Sequence, residues 1–297
     1  MRQAMHILVV NGLKVRRPVF VLGAPHSGTE LLARALKRTR GFHITIARTN
    51  VLQVAWTFAR RPSISQGRGE GAARVYRDAF AEAWQINAHG CLACPPVCRT
   101  ASGVSGVGPC IRGEEVARFG DASPDLLYSA TALVDAFPDA RLLQIVRDGR
   151  DVVAAMLGDE QSMAWFRPSI ANVDEELPNP FFGLEDAADR TLWKESTPAG
   201  RCALRWRGAV RASARLRADL DTEHLLTVRY EDLVQRPTEV APEISDFLET
   251  RLSAVPLGGD DRETVGLWHG RLGTGQIADI ERIAGQELRR LGYLSAS

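Results

Sequence analysis

Residues 19–22 form an unbroken apolar run closed by Gly23, the pattern of a strand buried on both faces. The spacing then turns helical. Leu31, Leu32, Ala35 and Leu36 share one face between residues 27 and 40, and Gly41 ends the helix. Residues 42–46 read as a second strand. A helix is predicted over 125–137, stopped by Pro138, followed by a strand at 141–146 and a helix from Arg150. Apolar positions recur at Trp206, Val210, Leu216 and Leu220, the face of an amphipathic helix, before a strand at 225–228. Ile277, Ile280, Ile283, Ala284, Leu288 and Leu291 mark a last helix. Strands alternating with helices predict an α/β fold, a parallel sheet in three layers with helices on both faces. Ligands in such folds sit beyond the carboxyl ends of the strands.

Two stretches break the pattern. Glycines and prolines punctuate 59–120, which reads as an irregular, cysteine-containing insertion or lid. Residues 160–200 read as a variable substrate segment. No repeat or low-complexity tract divides the chain, so residues 1–297 are expected to form a single domain. The acceptor site is expected to be shaped by segments 48–120 and 160–200, whose Trp56, Phe58, Trp84, Trp165, Phe166, Phe181, Phe182 and Trp193 either line an acceptor pocket or form lid core.

Composition narrows the function. The 297 residues are 45% hydrophobic and 25% charged with a net charge of +1, a globular balance that excludes disorder and argues against nucleic-acid binding through bulk charge. No stretch approaches the about 20 apolar residues of a membrane span. No export signal is evident, so the expected compartment is the cytoplasm. Only three of the 37 basic residues are lysine (Lys14, Lys37 and Lys194). Any lysine chemistry must fall on one of them.

Three predicted strand ends carry unusual polar groups. Gly23-Ala24-Pro25-His26-Ser27-Gly28-Thr29-Glu30 follows a strand and opens a helix, the setting in which backbone N–H groups cradle an anion. Its spacing matches the first half of a P-loop. Thr29, however, stands where the lysine of a nucleoside triphosphatase would be, which speaks against ATP or GTP chemistry. Arg147-Asp148-Gly149-Arg150-Asp151 brings two guanidinium groups, each suited to a bidentate phosphate contact, or else forms a solvated charged turn. Arg229-Tyr230-Glu231-Asp232 follows the strand at 225–228 and is weak on its own.

Together these blocks resemble the sulfotransferase family that uses 3′-phosphoadenosine 5′-phosphosulfate (PAPS). GAPHSGTELL is similar to its 5′-phosphosulfate loop, FPDARLLQIVRDGRDVVAAM to its 3′-phosphate block, VRYEDLVQRPTEV to the segment closing the adenosine side, and HGRLGTGQIADIERIAGQELRRLGY to its terminal helix. The blocks stand in family order over residues 19–293. The resemblance implies the P-loop-like sulfotransferase fold and PAPS as co-substrate. It also implies transfer without a metal to a hydroxyl of a small-molecule, carbohydrate or lipid-like acceptor. It places Pro25, His26, Ser27, Gly28, Thr29 and Glu30 at the 5′-phosphosulfate and Arg147 at the 3′-phosphate, with Tyr230 and Arg271 near the nucleotide.

Departures from the family pattern matter as much. His26 replaces the usual basic residue before Ser-Gly-Thr. Protonated, it would neutralise the leaving phosphate, which makes it the first catalytic candidate. Ala155 replaces a serine that contacts the 3′-phosphate, with Arg150 or Arg271 as compensating candidates. Ala122 replaces a lysine. The glutamate base of some relatives has no counterpart near Ala47, leaving Asp121 and His43 as candidates by position. Two alternatives follow: a PAPS-binding protein with impaired or diverted catalysis, and a P-loop small-molecule kinase.

Cys91, Cys94, Cys98 and Cys110 approach the spacing of a zinc site, with His89 as a substitute ligand. Free structural thiols are the equal alternative, and a disulfide or an iron–sulfur cluster a lesser one. Oligomeric state leaves no trace in the sequence.

Overall fold

A computed structural model describes residues 7–65, 70–87, 91, 94–104, 108–257 and 264–295. The strands are β1 (Val9–Val10), β2 (Leu13–Lys14), β3 (Val19–Gly23), β4 (Phe42–Thr45), β5 (Arg118–Asp121), β6 (Arg141–Val146) and β7 (Leu225–Arg229). β1 and β2 form a small hairpin. The other five form one parallel sheet in the order β4-β5-β3-β6-β7.

The helices between them are α1 (Thr29–Lys37), α2 (Thr49–Arg60), α3 (Pro62–Ser65), α4 (Glu70–Ala83), α5 (Pro96–Ser102), α6 (Ala130–Ala136) and α7 (Gly149–Leu157). They continue with α8 (Glu160–Ala164), α9 (Ala187–Glu195), α10 (Pro198–Asp219), α11 (Tyr230–Gln235), α12 (Pro237–Leu248), α13 (Trp268–Arg271) and α14 (Thr274–Arg290).

Side-chain alternation along β3 divides the core. Phe20 and Leu22 join one apolar cluster with residues of α2, α4, α6, α7, α10 and α14. Val19 and Val21 join a second with residues of α1, α5, α11 and α12. The sheet is therefore covered on both faces, which is why β3 reads as a continuous apolar run. This is the three-layer α/β fold expected from the pattern.

β3 lies at the centre, and the chain leaves it in two directions. α1 leads toward the β4 edge on one face, and α6 joins β5 to β6 on the other. The carboxyl end of β3 is thus the point where the winding reverses, the usual ligand crevice of such sheets.

Two expectations change. The predicted helix at 125–137 is a 3-10 turn over Leu126–Ser129 followed by α6. The span 59–120 is more ordered than its glycines and prolines suggest. It contains α4, and its last residues are β5, an interior strand of the sheet. The signal was faint because α4 buries mostly alanines beside Tyr76 and Phe80, and four-residue β5 carries Arg118, Gly120 and Asp121. Of the eight aromatics, Phe58, Trp84, Phe166, Phe181, Phe182 and Trp193 are core, and the rings of Trp56 and Trp165 pack edge-on at 5.2 Å. No helix among the described residues is long and apolar enough to cross a membrane.

Candidate functional site

The loop between β3 and α1 is shaped by its glycines. A Cβ on Gly23 would meet Ser27 Oγ at 2.3 Å, so the serine folds back into space that only glycine leaves open. Gly28 has a φ of +101° and caps α1, and a Cβ there would meet the Tyr230 ring at 2.3 Å. The Ser27 N–H donates to Ala24 O at 3.1 Å and tightens the turn. Ser27 is fully buried, and its Oγ has no hydrogen-bond partner among the described residues. In the first turn of α1 the Leu31 N–H donates to Gly28 O at 3.1 Å, while the N–H groups of Thr29 and Glu30 have no intrahelical acceptor. An orphaned hydroxyl beside a helix N-terminus suits an anion. Glu30, in that first turn, has its carboxyl raised by burial, with Arg34 opposing.

Arg147 leaves the end of β6 and crosses to this loop. Its Nη1 donates to His26 O at 2.9 Å and its Nη2 to Thr264 O at 2.6 Å. Its guanidinium stacks over the Tyr230 ring at 4.2 Å, and its buried Nε has no partner among the described residues. Tyr230 Oη and Thr264 Oγ1 share a hydrogen bond. Arg147, Tyr230 and the loop from Pro25 to Thr29 are thus one constellation, as the sequence blocks predict, joined by Thr264, which the sequence did not flag.

His26 sits at the loop's tip with φ +57° and its side chain about one third exposed. Its Nε2 lies 3.0 Å from Ser162 Oγ and 3.4 Å from Asp159 Oδ2. Asp159 caps α8, accepting from the Ser162 N–H at 2.9 Å. Burial lowers the imidazole's pKa, and the Asp159 carboxylate works against this, while Arg205 and Arg147 add to it. Burial by itself would raise the Asp159 carboxyl, but the Ser162 hydroxyl and amide hold it below its ordinary value. Asp159 escaped the sequence reading because a capping aspartate after a glycine has no distinguishing local mark.

Arg205, on α10, is 2% exposed and bonds both oxygens of Asp125 at 2.9 and 3.1 Å with its guanidinium 4.0 Å over Phe181. The pair fixes the chain just after Ala122 and Ser123. Ala122 itself is buried in the core.

Other candidates stand elsewhere. Arg150, the candidate to compensate at Ala155, points to other partners in this structure. It is held by Asp148 Oδ2 and Tyr293 O, each at 2.7 Å, and stacks on Trp268 at 4.2 Å. Arg271 is exposed on α13. His43 lies on β4, two strands from β3, with its Nδ1 3.9 Å from Cys110 Sγ and its ring edge-on to Phe119. It belongs with the cysteines rather than the loop. Asp121 is fully buried at the end of β5, where it accepts from Thr45 Oγ1 and the Ser123 N–H. Burial pushes its carboxyl up to about 6 against those bonds. Neither residue contacts His26.

None of the five cysteines is joined to another in a disulfide. Among the described residues, no three His, Cys, Asp or Glu side chains stand where they could hold a metal ion, so zinc is not supported. A physical reason is visible. Lys37 Nζ lies 3.4 Å from Cys98 Sγ and 3.8 Å from Cys110 Sγ, placing a protein cation against two of the four thiols. His89 lies outside the described residues.

The chain matches the sulfotransferase family over residues 18–254. Among solved structures, the sulfotransferase domain of the olefin synthase from Synechococcus PCC 7002 is 18% identical, covering 91% of this chain and 93% of that one with a TM-score of 0.47. Sulfotransferase STF9 from Mycobacterium avium is 15% identical over 93% of this chain and 77% of that one, with a TM-score of 0.45. Mouse sulfotransferase SULT7A1, solved with PAP, is 14% identical over 93% and 86%, with a TM-score of 0.44. No curated protein matches the sequence.

Proposed function

The chain belongs to the sulfotransferase family, and from that premise we propose that it moves a sulfuryl group from PAPS to a hydroxyl of a small-molecule, carbohydrate or lipid-like acceptor, working as a single domain. The observation that carries this reading is the meeting of the lysine-free loop, Arg147 and Tyr230 at the carboxyl ends of β3, β6 and β7. Ser27 Oγ and Arg147 Nε, buried and without partners among the described residues, fit the acceptor oxygens of such a nucleotide.

In this reading the N–H groups of Gly28, Thr29 and Glu30, with the Ser27 and Thr29 hydroxyls, hold the 5′-phosphosulfate. Arg147 reads the 3′-phosphate, the group that separates PAPS from ADP-like nucleotides. The Tyr230 ring lies beside the nucleotide. The acceptor oxygen attacks sulfur, the bond from sulfur to the 5′-phosphate oxygen breaks, and the acceptor's proton leaves to a base. Such transfer depends mostly on positioning and on neutralising charge at the leaving oxygen. His26, once protonated, supplies that charge, with Asp159 favouring the protonated form.

Titration calorimetry with adenosine 3′,5′-bisphosphate and with ADP tests the donor. Clearly tighter binding of the bisphosphate is expected, and a preference for ADP or ATP would replace this reading with a kinase. Labelled PAPS and a panel of hydroxyl acceptors test the transfer. Ala122 and Ala155 favour one second reading, a protein that binds the nucleotide without transferring sulfate. Bisphosphate binding with no transfer across the panel would select it.

A further inference from the structure

The four clustered cysteines have no part in the proposed transfer, yet the fold assembles them closely. The Cys110 N–H donates to Cys91 Sγ at 2.8 Å. Thiol hydrogen bonds join Cys91 to both Cys110 and Cys94, and Cys94 to Cys98. Polar groups surround this chain of sulfurs. Arg48 Nη1 lies 3.4 Å from Cys94 Sγ, Lys37 Nζ lies 3.8 Å from Cys110 Sγ, and His43 Nδ1 lies 3.9 Å from Cys110 Sγ. Lys37 is also anchored on Ile44 O at 2.6 Å, so its ammonium is held in place rather than extended into solvent. A cavity of about 10 Å³, the size of one water molecule, is lined by His43, Thr45, Arg48, Cys91, Cys94 and Cys110.

We propose that Cys91 and Cys110 form an oxidisable thiol pair, converted by hydrogen peroxide to a disulfide that ties the two ends of the α5 segment together beside β4. Three observations single out this pair. Its sulfurs are in hydrogen-bond contact, and the Cys110 backbone is tethered to Cys91 as well. Cys110 alone has both an imidazole and an ammonium against its sulfur, one to take a proton and one to stabilise negative charge. Both Cys91 and Cys110 line the small cavity, which places a space for a small polar molecule against the pair.

The chemistry balances without another co-reactant. The Cys110 sulfur attacks one peroxide oxygen, the O–O bond breaks, and water leaves carrying the thiol's proton. The sulfenic acid formed on Cys110 is then attacked by the Cys91 sulfur. Its S–O bond breaks, and a second water leaves with the Cys91 proton. Two thiols lose two electrons to one peroxide. Cys202 is buried on α10 with its thiol against Met163, away from the cluster, and serves as an internal control.

The full chain, reduced, desalted and exposed to hydrogen peroxide, should fall from five titratable thiols to three. Peptide mapping under non-reducing conditions should find Cys91 linked to Cys110, lighter by two hydrogens, and dithiothreitol should reverse it. Cys110→Ser and Cys91→Ser should each abolish the link while Cys202 stays alkylatable. The mapping needs only the unmodified sequence, so the inference stands or falls even where a variant folds poorly. A dominant link between Cys94 and Cys98, resistance of all five thiols, or stoichiometric zinc that blocks the oxidation would each overturn it.

Discussion

Replacing Arg147 by methionine is the sharpest probe of the proposed nucleotide site. Methionine keeps an apolar stem and removes the fork that stacks on Tyr230. The magnitude follows from what Arg147 already does. Its two terminal nitrogens are occupied by His26 O and Thr264 O, so phosphate binding there exchanges one acceptor for another. Only the buried Nε, without a partner among the described residues, gains a bond outright. One charge-assisted hydrogen bond contributes about 1.5–3 kcal/mol, which is roughly 10- to 150-fold in affinity. Adenosine 3′,5′-bisphosphate should weaken by that factor. ADP, which lacks the 3′-phosphate, should change far less, so the ratio of the two losses isolates the contact. Arg147→Lys should fall between, because an ammonium keeps the charge and loses the planar fork. Calorimetry on variants with unchanged circular dichroism measures both ligands. Equal losses for the two nucleotides would refute the assignment of Arg147 to the 3′-phosphate.

The remaining expectations concern the loop and its supports. His26 is held below its ordinary pKa by burial, so it is mostly neutral near pH 7 without ligand. Bisphosphate affinity should therefore rise as pH falls through the imidazole range, and His26→Ala should flatten that profile; the sign for stability is opposite, with His26 destabilising the fold as acid forces the buried ring to charge. Asp159→Asn removes the charge that favours the imidazolium and should move the binding profile to lower pH, read by calorimetry at several pH values. Asp125→Ala leaves Arg205 buried and unpaired and should cost about 3–5 kcal/mol in denaturant unfolding, with Arg205→Met added to the same chain recovering part of it. Gly28→Ala puts a Cβ into the Tyr230 ring at a φ of +101° and should abolish bisphosphate binding at modest cost in melting temperature.

Much of this was legible in the sequence, and the legible parts are local. Strand, loop and helix from Val19 to Lys37 are set by an apolar run, a turn of small residues and one helical face, all within 20 positions. The family's blocks are short for the same reason. Even the scarcity of lysine proved informative: Lys37 stands against the thiols, and Lys194 pairs with Asp174 on the surface. The sequence therefore settled the fold class, the glycine-shaped loop after β3 and the absence of a lysine in it.

Tertiary structure decided what those parts touch. Asp159 reaches His26 across 133 positions, Arg205 reaches Asp125 across 80, and Thr264 meets Arg147 across 117. None of these pairs shares a periodicity, because their meeting depends on strand order and on which face each helix covers. Arg150 and Arg147, three residues apart and alike on paper, were separated by the first turn of α7. One faces the loop, and the other is spent on Asp148 and Tyr293. His43 and Cys110 came together because β4 lies at the sheet edge, where the cysteine segment packs. Local spacing fixes how a backbone turns; partners far apart in the chain are chosen by packing, which no short window of sequence contains.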